Sequence, residues 1–501
     1  MSDLPTSSAT DDFLSSLHVW LGNPRATSVG EEFIKLCDYL HSIQAHSLSI
    51  QKRASILDKI YVRSMSAVQT LRLSLTDIPL PISGKIRQTI RDMQEMLDIL
   101  ARNLVDLGDA IDNKELEAST TTTLDLILWR SLYAISRHIV IGSLVASPPK
   151  TGAWRQLHQI YDHACLRKLN RNTPAGTTRS LLDVYYTAVL LGCAQPASFT
   201  SAEVDFLECF LECISNQIDL NDDGSDPVWG VFWIDPESDT PAIPCARKSP
   251  PSGIPIRFFS CERLSALLKI QLTKLEAGAS PEQVNLPKFA ATPAGLGTLR
   301  RLIQNWGDPA KRRFPRRRQN YQGELCIGLS NICQLLQKTG TPPKVSNWMV
   351  TCESPDGYTV MHDSGKIAPL RRGDVTALRT ENNNNWQICI IRRVLSENME
   401  HIELGLQILS TRFFAAQLAL SSKTGGIICQ PAIFLPSIPT LRPEEMLVLS
   451  SETLANSSKD LVLIIEKDNI EVREINAKYN HERNGQIEIY AIESDLPEET
   501  K

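Results

Sequence analysis

The sequence is 501 residues long, with 42% hydrophobic and 22% charged residues and a formal net charge of −5. That length leaves room for more than one domain with sizeable cores, and the composition is that of an ordinary soluble globular protein. A pI near 6.1 excludes a protein that coats nucleic acid by general charge, so any anion-binding surface has to be local.

The first residues, MSDLPTSSATDDF, have no basic start and no apolar core, so they are not read as a secretory signal. Apolar residues then recur at helical spacing. Phe33, Leu36, Cys37, Leu40 and Ile43 form one stripe; Ile86, Ile90, Met93, Leu97, Leu100, Leu104 and Leu107 form a longer one. Pro79 and Pro81 separate helices rather than domains. The most apolar run, LDLILWRSLYAISRHIVIGSLVA, carries Arg130, Arg137 and His138. Charges of that kind are costly in a bilayer, so the run is read as a buried helix, with no transmembrane segment, in a cytoplasmic protein. Helical spacing continues to about residue 220, and Trp154, Leu157 and Tyr161 suggest a helical hairpin.

A stretch rich in Pro, Gly and Asp then interrupts the helices near 221–258, yet contains VWGVFWI, a run of β-formers that suggests an inserted strand pair. Its part from 237 to 255 is expected to be irregular and exposed. Two more helical segments follow, and after about residue 340 the period becomes two. Short alternating runs are punctuated by Asp356-Gly357, Ser364-Gly365 and ENNNN, as in a small antiparallel barrel or sandwich.

Catalytic signatures are absent: no G-x-S-x-G, no phosphate-binding G-x-x-x-x-G-K, no H-E-x-x-H, and no metal-spaced His/Cys set. The sequence therefore gives no catalytic residue, no metal ligand and no cofactor, and the protein is read as non-enzymatic. The twelve cysteines form no C-x-x-C pair, and Cys209/Cys213 and Cys326/Cys333 are expected to be reduced core residues.

One segment breaks the acidic balance. In KRRFPRRRQN, residues 311–320, five arginines and one lysine fall within eight positions. Arginine offers a planar fork that fits phosphate and a guanine edge and stacks on a base, which lysine cannot do. Pro315 stiffens the segment. Downstream comes CESPDG, residues 352–357. The order of these two elements resembles the PilZ domain, the bacterial receptor module for cyclic di-GMP. That family has R-x-x-x-R in an arm leading into a six-stranded barrel, followed by [D/N]-x-S-x-x-G on a strand turn. Here R-x-x-x-R is met in two registers, by Arg312 with Arg316 and by Arg313 with Arg317. Ser354 and Gly357 match the second motif, and Cys352 stands where the family has Asp or Asn.

The resemblance implies a ligand-binding set of Arg312, Arg313, Arg316, Arg317, Cys352, Ser354 and Gly357. Ser354 would offer a hydroxyl, and Gly357 would allow positive φ and close backbone approach. The expected architecture is multidomain, α then β. A helical bundle or helical-hairpin domain over 1–308 precedes a PilZ-like antiparallel β-barrel over 309–415 and a C-terminal β-strand extension over 416–501. The expected function is a cyclic di-GMP receptor whose helical domain acts on a protein partner, with no role for DNA. The alternative is a ligand-free interaction scaffold, because a thiol is a poor replacement for a carboxylate or amide in hydrogen bonding.

Overall fold

A computed structural model describes residues 7–494 except 24–27, 47, 77, 113–122, 215–218, 222–230, 310–313, 337–342, 398–400, 423–426, 439–441, 452, 455–456, 468 and 484–485. The architecture is α then β, as the change of period implies. The first helices are α1 (Ser7–Gly22), α2 (Val29–Ala45), α3 (Ile50–Ser74) and α4 (Gly84–Asp112). They are followed by α5 (Leu124–Leu144), α6 (Ala153–Leu166), α7 (Leu181–Cys193) and α8 (Ser201–Ile214). Ser28 starts α2 with a capping box, in which its hydroxyl accepts from the Glu31 amide and the Glu31 carboxylate accepts from the Ser28 amide. The stripe from Ile90 to Leu107 is buried along α4, which packs between α2 and α5. Within α5, Arg137 and His138 are buried, as read from the sequence, and each has an acidic partner: Glu208 on α8 and Asp98 on α4. No helix among the described residues is long and apolar enough to cross a membrane.

The inserted segment forms more than a strand pair. Strands β1 (Asp219–Asn221), β2 (Val231–Ile234), β3 (Ile243–Pro244) and β4 (Arg257–Ser260) make a four-stranded sheet in the order β1-β4-β2-β3. The stretch 237–255 is largely irregular, as expected, but it is not loose. Asp239 accepts hydrogen bonds from the Gly152, Trp154 and Arg155 amides at the start of α6, supplying the acceptor that a helix N-terminus lacks. Helices α9 (Glu262–Glu276) and α10 (Pro293–Gly307) complete the helical part.

Strands β5 (Arg317–Ile327), β6 (Val345–Ser354), β7 (Gly357–Ser364), β8 (Val375–Thr380), β9 (Asn383–Ser396) and β10 (Ile402–Ser410) close into an antiparallel barrel. A short helix, α11 (Leu329–Leu336), follows β5. Trp348, Val350, Val360 and Leu404 fill the interior. The strands read from sequence as a C-terminal extension close on themselves as well. They are β11 (Phe414–Ser422), β12 (Ile427–Leu435), β13 (Glu445–Ser450), β14 (Ser457–Glu466), β15 (Ile470–Arg483) and β16 (Ile487–Ser494). A separate apolar cluster, which includes Val375 and Ile390, Ile332 of α11, and Ile433, Val448 and Ile489, joins the two barrels through their outer faces.

The helical part and the first barrel share one continuous core. Around it, Arg87 of α4 donates to the carbonyl and the hydroxyl of Ser396, both at 2.7 Å, and the Ser396 amide donates to Ala146. Leu80 and Leu370 exchange two backbone hydrogen bonds. Of the two cysteine pairs expected in the core, one needs correction. Cys326 and Cys333 are buried and free, but Cys209 and Cys213 are exposed. The run FLECFLECI buries Phe206, Leu207, Phe210, Leu211 and Ile214, which leaves the i, i+4 cysteines on the solvent side of α8.

Candidate functional site

The basic segment enters the first barrel at the start of β5. Arg312 and Arg313 lie outside the described residues. Arg316 is exposed just before the strand, and its Nη1 donates to Thr359 Oγ1 on β7 at 2.9 Å. Arg317 and Arg318 open β5 and are exposed. The ladder pairs Arg317 with Glu353 and Arg318 with Cys352.

Register decides which side chains share a face. Cys352 pairs with Thr359, Thr359 with Gly405, and Gly405 with Arg393. Directly opposed residues project to the same side of a sheet, so Arg318, Cys352, Thr359 and Arg393 form one row across five strands. Gly405 leaves a gap in its middle. Tyr358 and Val360, the neighbours of Thr359, point into the barrel core, so the row lies on the outer surface. A register shift between Val350 and Cys352 makes this possible. Strict alternation would send Cys352 inward behind the buried Val350; the extra residue turns it outward.

Glu353 belongs to the opposite face, since it pairs with the core-facing Tyr358. It accepts from the Tyr321 hydroxyl at 3.0 Å and from the Gln319 amide at 3.3 Å. Burial, reinforced by this carboxylate, pushes the Tyr321 phenol well above its ordinary range, so it stays a donor. Glu353 therefore orders the start of β5 on the face that it shares by register with Arg317, while Arg318 shares the face of Cys352.

The turn after β6 is Pro355-Asp356, closed by the facing pair Ser354 and Gly357. The Ser354 hydroxyl lies 2.7 Å from Asp356 Oδ1 and 3.1 Å from the Gly357 carbonyl oxygen. It is thus engaged in holding the turn. Of the two reasons expected for Gly357, positive φ does not hold, since its φ is not among the positive values. A Cβ there would stand 2.1 Å from the Leu406 carbonyl oxygen, so glycine is needed for close approach of two backbones.

The structure thus gathers Arg316, Arg317 and Cys352 at one end of the β5–β6–β7 ladder, with Ser354 and Gly357 in the adjoining turn. It adds three residues that sequence reasoning did not select: Arg318, Thr359 and Arg393. Arg318 was visible in the basic run, whereas Thr359 and Arg393 are joined to it only by cross-strand register. Arg393 also contacts Glu403 on β10. Exposed guanidinium groups beside a hydroxyl and a thiol suit an anion with planar groups. No group of His, Cys, Asp or Glu among the described residues is arranged to hold a metal ion.

Comparison with known proteins places the similarity elsewhere in the chain. Residues 15–225 match the family described as "Cyclic-di-GMP receptor FimW, N-terminal domain". A curated protein, the cyclic-di-GMP receptor FimW of Pseudomonas aeruginosa, is 25% identical over 212 residues, which is 40% of this chain and 33% of that protein. The match thus spans about a third of the relative's length. No solved structure matches the chain significantly. The helical part of this chain is similar to the N-terminal domain of a protein named as a cyclic di-GMP receptor.

Proposed function

We propose that the protein is a non-enzymatic receptor for cyclic di-GMP, with the ligand held on the outer face of the first barrel by the arginine arm. The observation that carries this reading is the register that sets Arg316 and Arg318 beside Cys352 and Thr359, directly before the Ser354–Gly357 turn. The likeness of residues 15–225 to the N-terminal domain of a receptor for the same dinucleotide supports it from an independent part of the chain.

In this reading residues 309–415 form a PilZ-like domain and 1–308 the output domain, in the cytoplasm, with 416–501 as an accessory domain. Arg312, Arg313, Arg316 and Arg317 bind phosphate and guanine, Cys352 faces the ligand, and Ser354 and Gly357 shape the turn beneath it. The Arg87–Ser396 and Leu80–Leu370 contacts are the route by which the arm would bias the helices toward a protein partner. Calorimetric titration of the full chain with cyclic di-GMP, against GTP and cyclic di-AMP, tests the proposal. Selective binding of cyclic di-GMP is expected. Cys352, which replaces a stronger hydrogen-bonding group, favours a second reading, a ligand-free interaction scaffold. Absence of binding would select that one.

A further inference from the structure

A second feature, away from the arginine arm, lies where the helices meet the first barrel. Arg372, on the β7–β8 connection, is 5% exposed. Its Nε and Nη2 are buried without a hydrogen-bond partner, and among the described residues it has no ion pair. A buried guanidinium in that state is costly, since neither water nor a counter-charge replaces its hydration. The carboxylate that acts on it, Glu203, is already engaged: one oxygen pairs with Arg301 and the other accepts from the Thr200 amide. Glu203 favours the charge on Arg372 and Arg301 opposes it, so the compensation is only partial. Burial draws the guanidinium down to about 9, which still leaves it charged at neutral pH.

Arg372 lines a cavity of about 20 Å³. Ile78, Leu144 and Phe199 are among its apolar walls, Arg371 also lines it, and Thr200 and Ser201 present the N-terminus of the fourteen-residue helix α8. The Ser201 amide has no acceptor among the described residues. The free Ser201 amide and the positive end of the helix dipole thus share one small space with the guanidinium. Its volume is that of about one water-sized sphere, too small for phosphate, a carboxylate or a nucleotide.

We propose that this junction binds a single halide-sized monovalent anion, held by the Arg372 guanidinium and the N-terminal amides of α8. Arg372 belongs to the barrel and α8 to the helical part, so the anion acts as a clasp between them. Water could fill the volume, but it would not cancel the charge. The site is independent of the dinucleotide reading and stands or falls by itself.

Thermal unfolding of the full chain in sodium chloride, bromide and gluconate at matched ionic strength tests it, because gluconate cannot enter the cavity. The midpoint is expected to rise with chloride and bromide relative to gluconate, and Arg372→Gln is expected to abolish the difference. Equal midpoints in all three salts, or an undiminished halide effect in Arg372→Gln, would overturn the proposal. If that variant fails to fold, crystals of the native protein soaked in bromide decide. An anomalous peak beside the Arg372 guanidinium and the Ser201 amide supports the site, and density without anomalous signal means water and refutes it.

Discussion

Cys352 is the residue on which the proposed ligand binding turns, because it sits in the row with Arg318 and Thr359 but offers only a weak donor and acceptor. Changing it to Asn adds a donor and an acceptor without negative charge beside the phosphates. Cys352→Asn is expected to tighten cyclic di-GMP binding by about 1 kcal/mol, roughly five-fold, in a paired titration with the native protein. Equal affinity would mean that position 352 does not touch the ligand. Part of this scale was legible in the sequence, because such patterns are local: the S-x-x-G pattern forms the turn between β6 and β7, and Arg316 to Arg318 lead into β5. For Gly357 a close approach was legible but its partner was not, because the backbone it meets is that of Leu406, about fifty positions away, while the turn's own dihedral angles do not require glycine. Thr359 was invisible for a similar reason, since nothing in its flanking residues announces an arginine partner.

At the scale of elements, the arm and β6 cooperate: the shift between Val350 and Cys352 turns one side chain outward, and Arg316 reaches over β6 to Thr359 on β7. Both Arg316 and Arg318 are exposed, so Arg316→Ala with Arg318→Ala is expected to weaken binding at least about tenfold while leaving the melting temperature nearly unchanged. Collapse of stability instead would make these arginines structural. Binding is also expected to weaken as salt rises. Strands and helices themselves were legible because their periods differ, whereas a bulge depends on pairing between strands and leaves no periodic mark. The insertion shows the same limit. Its composition read as a loose stretch, yet it holds α6 through Asp239 and through Thr240, whose carbonyl oxygen lies 3.0 Å from His158 Nε2. His158 Nδ1 lies 2.9 Å from the Tyr185 hydroxyl, and the ring is fully buried. Burial lowers its pKa below the ordinary 6.5, against the raising effect of the Thr240 carbonyl. The unfolded chain therefore takes up the proton first as pH falls. The stability contribution is fully present above 6.5 and is lost as pH drops through the lowered folded value. Urea unfolding at a series of pH values is expected to show a shallower acid loss in His158→Gln than in the native protein.

For the whole molecule, the continuous core between helices and first barrel implies that they unfold as one unit. Amides of α4 and of β7 are expected to exchange hydrogen with the same opening free energy. Arg87→Met removes both hydrogen bonds to Ser396 and is expected to cost about 2–4 kcal/mol. It should also separate the two exchange classes, which mass-spectrometric hydrogen exchange would resolve. Separate classes already in the native protein would mean that the junction is not a structural unit. This junction was not legible in the sequence: Arg87 and Ser396 are more than 300 positions apart, and Arg87 looked like one more polar residue beside an apolar stripe.

The neighbour orders of the two barrels, compared strand by strand, coincide. Numbering the strands of each barrel from one to six, both follow the closed cycle 1-2-3-6-5-4. The chain therefore carries the same connectivity twice in tandem, although the two halves show no obvious sequence repeat. The two copies do not meet through equivalent surfaces. The second barrel buries its 2-3-6 face, where Ile433, Val448 and Ile489 lie in register, against the 1-4-5 side of the first. Such head-to-tail contact lacks a twofold axis and leaves one member of each kind of face unmatched. On the first barrel the unmatched face is again 2-3-6, and there Cys352, Thr359 and Gly405 occupy the central row. One surface of the repeated connectivity is apolar adhesive in one barrel and a polar face covered by arginine side chains in the other.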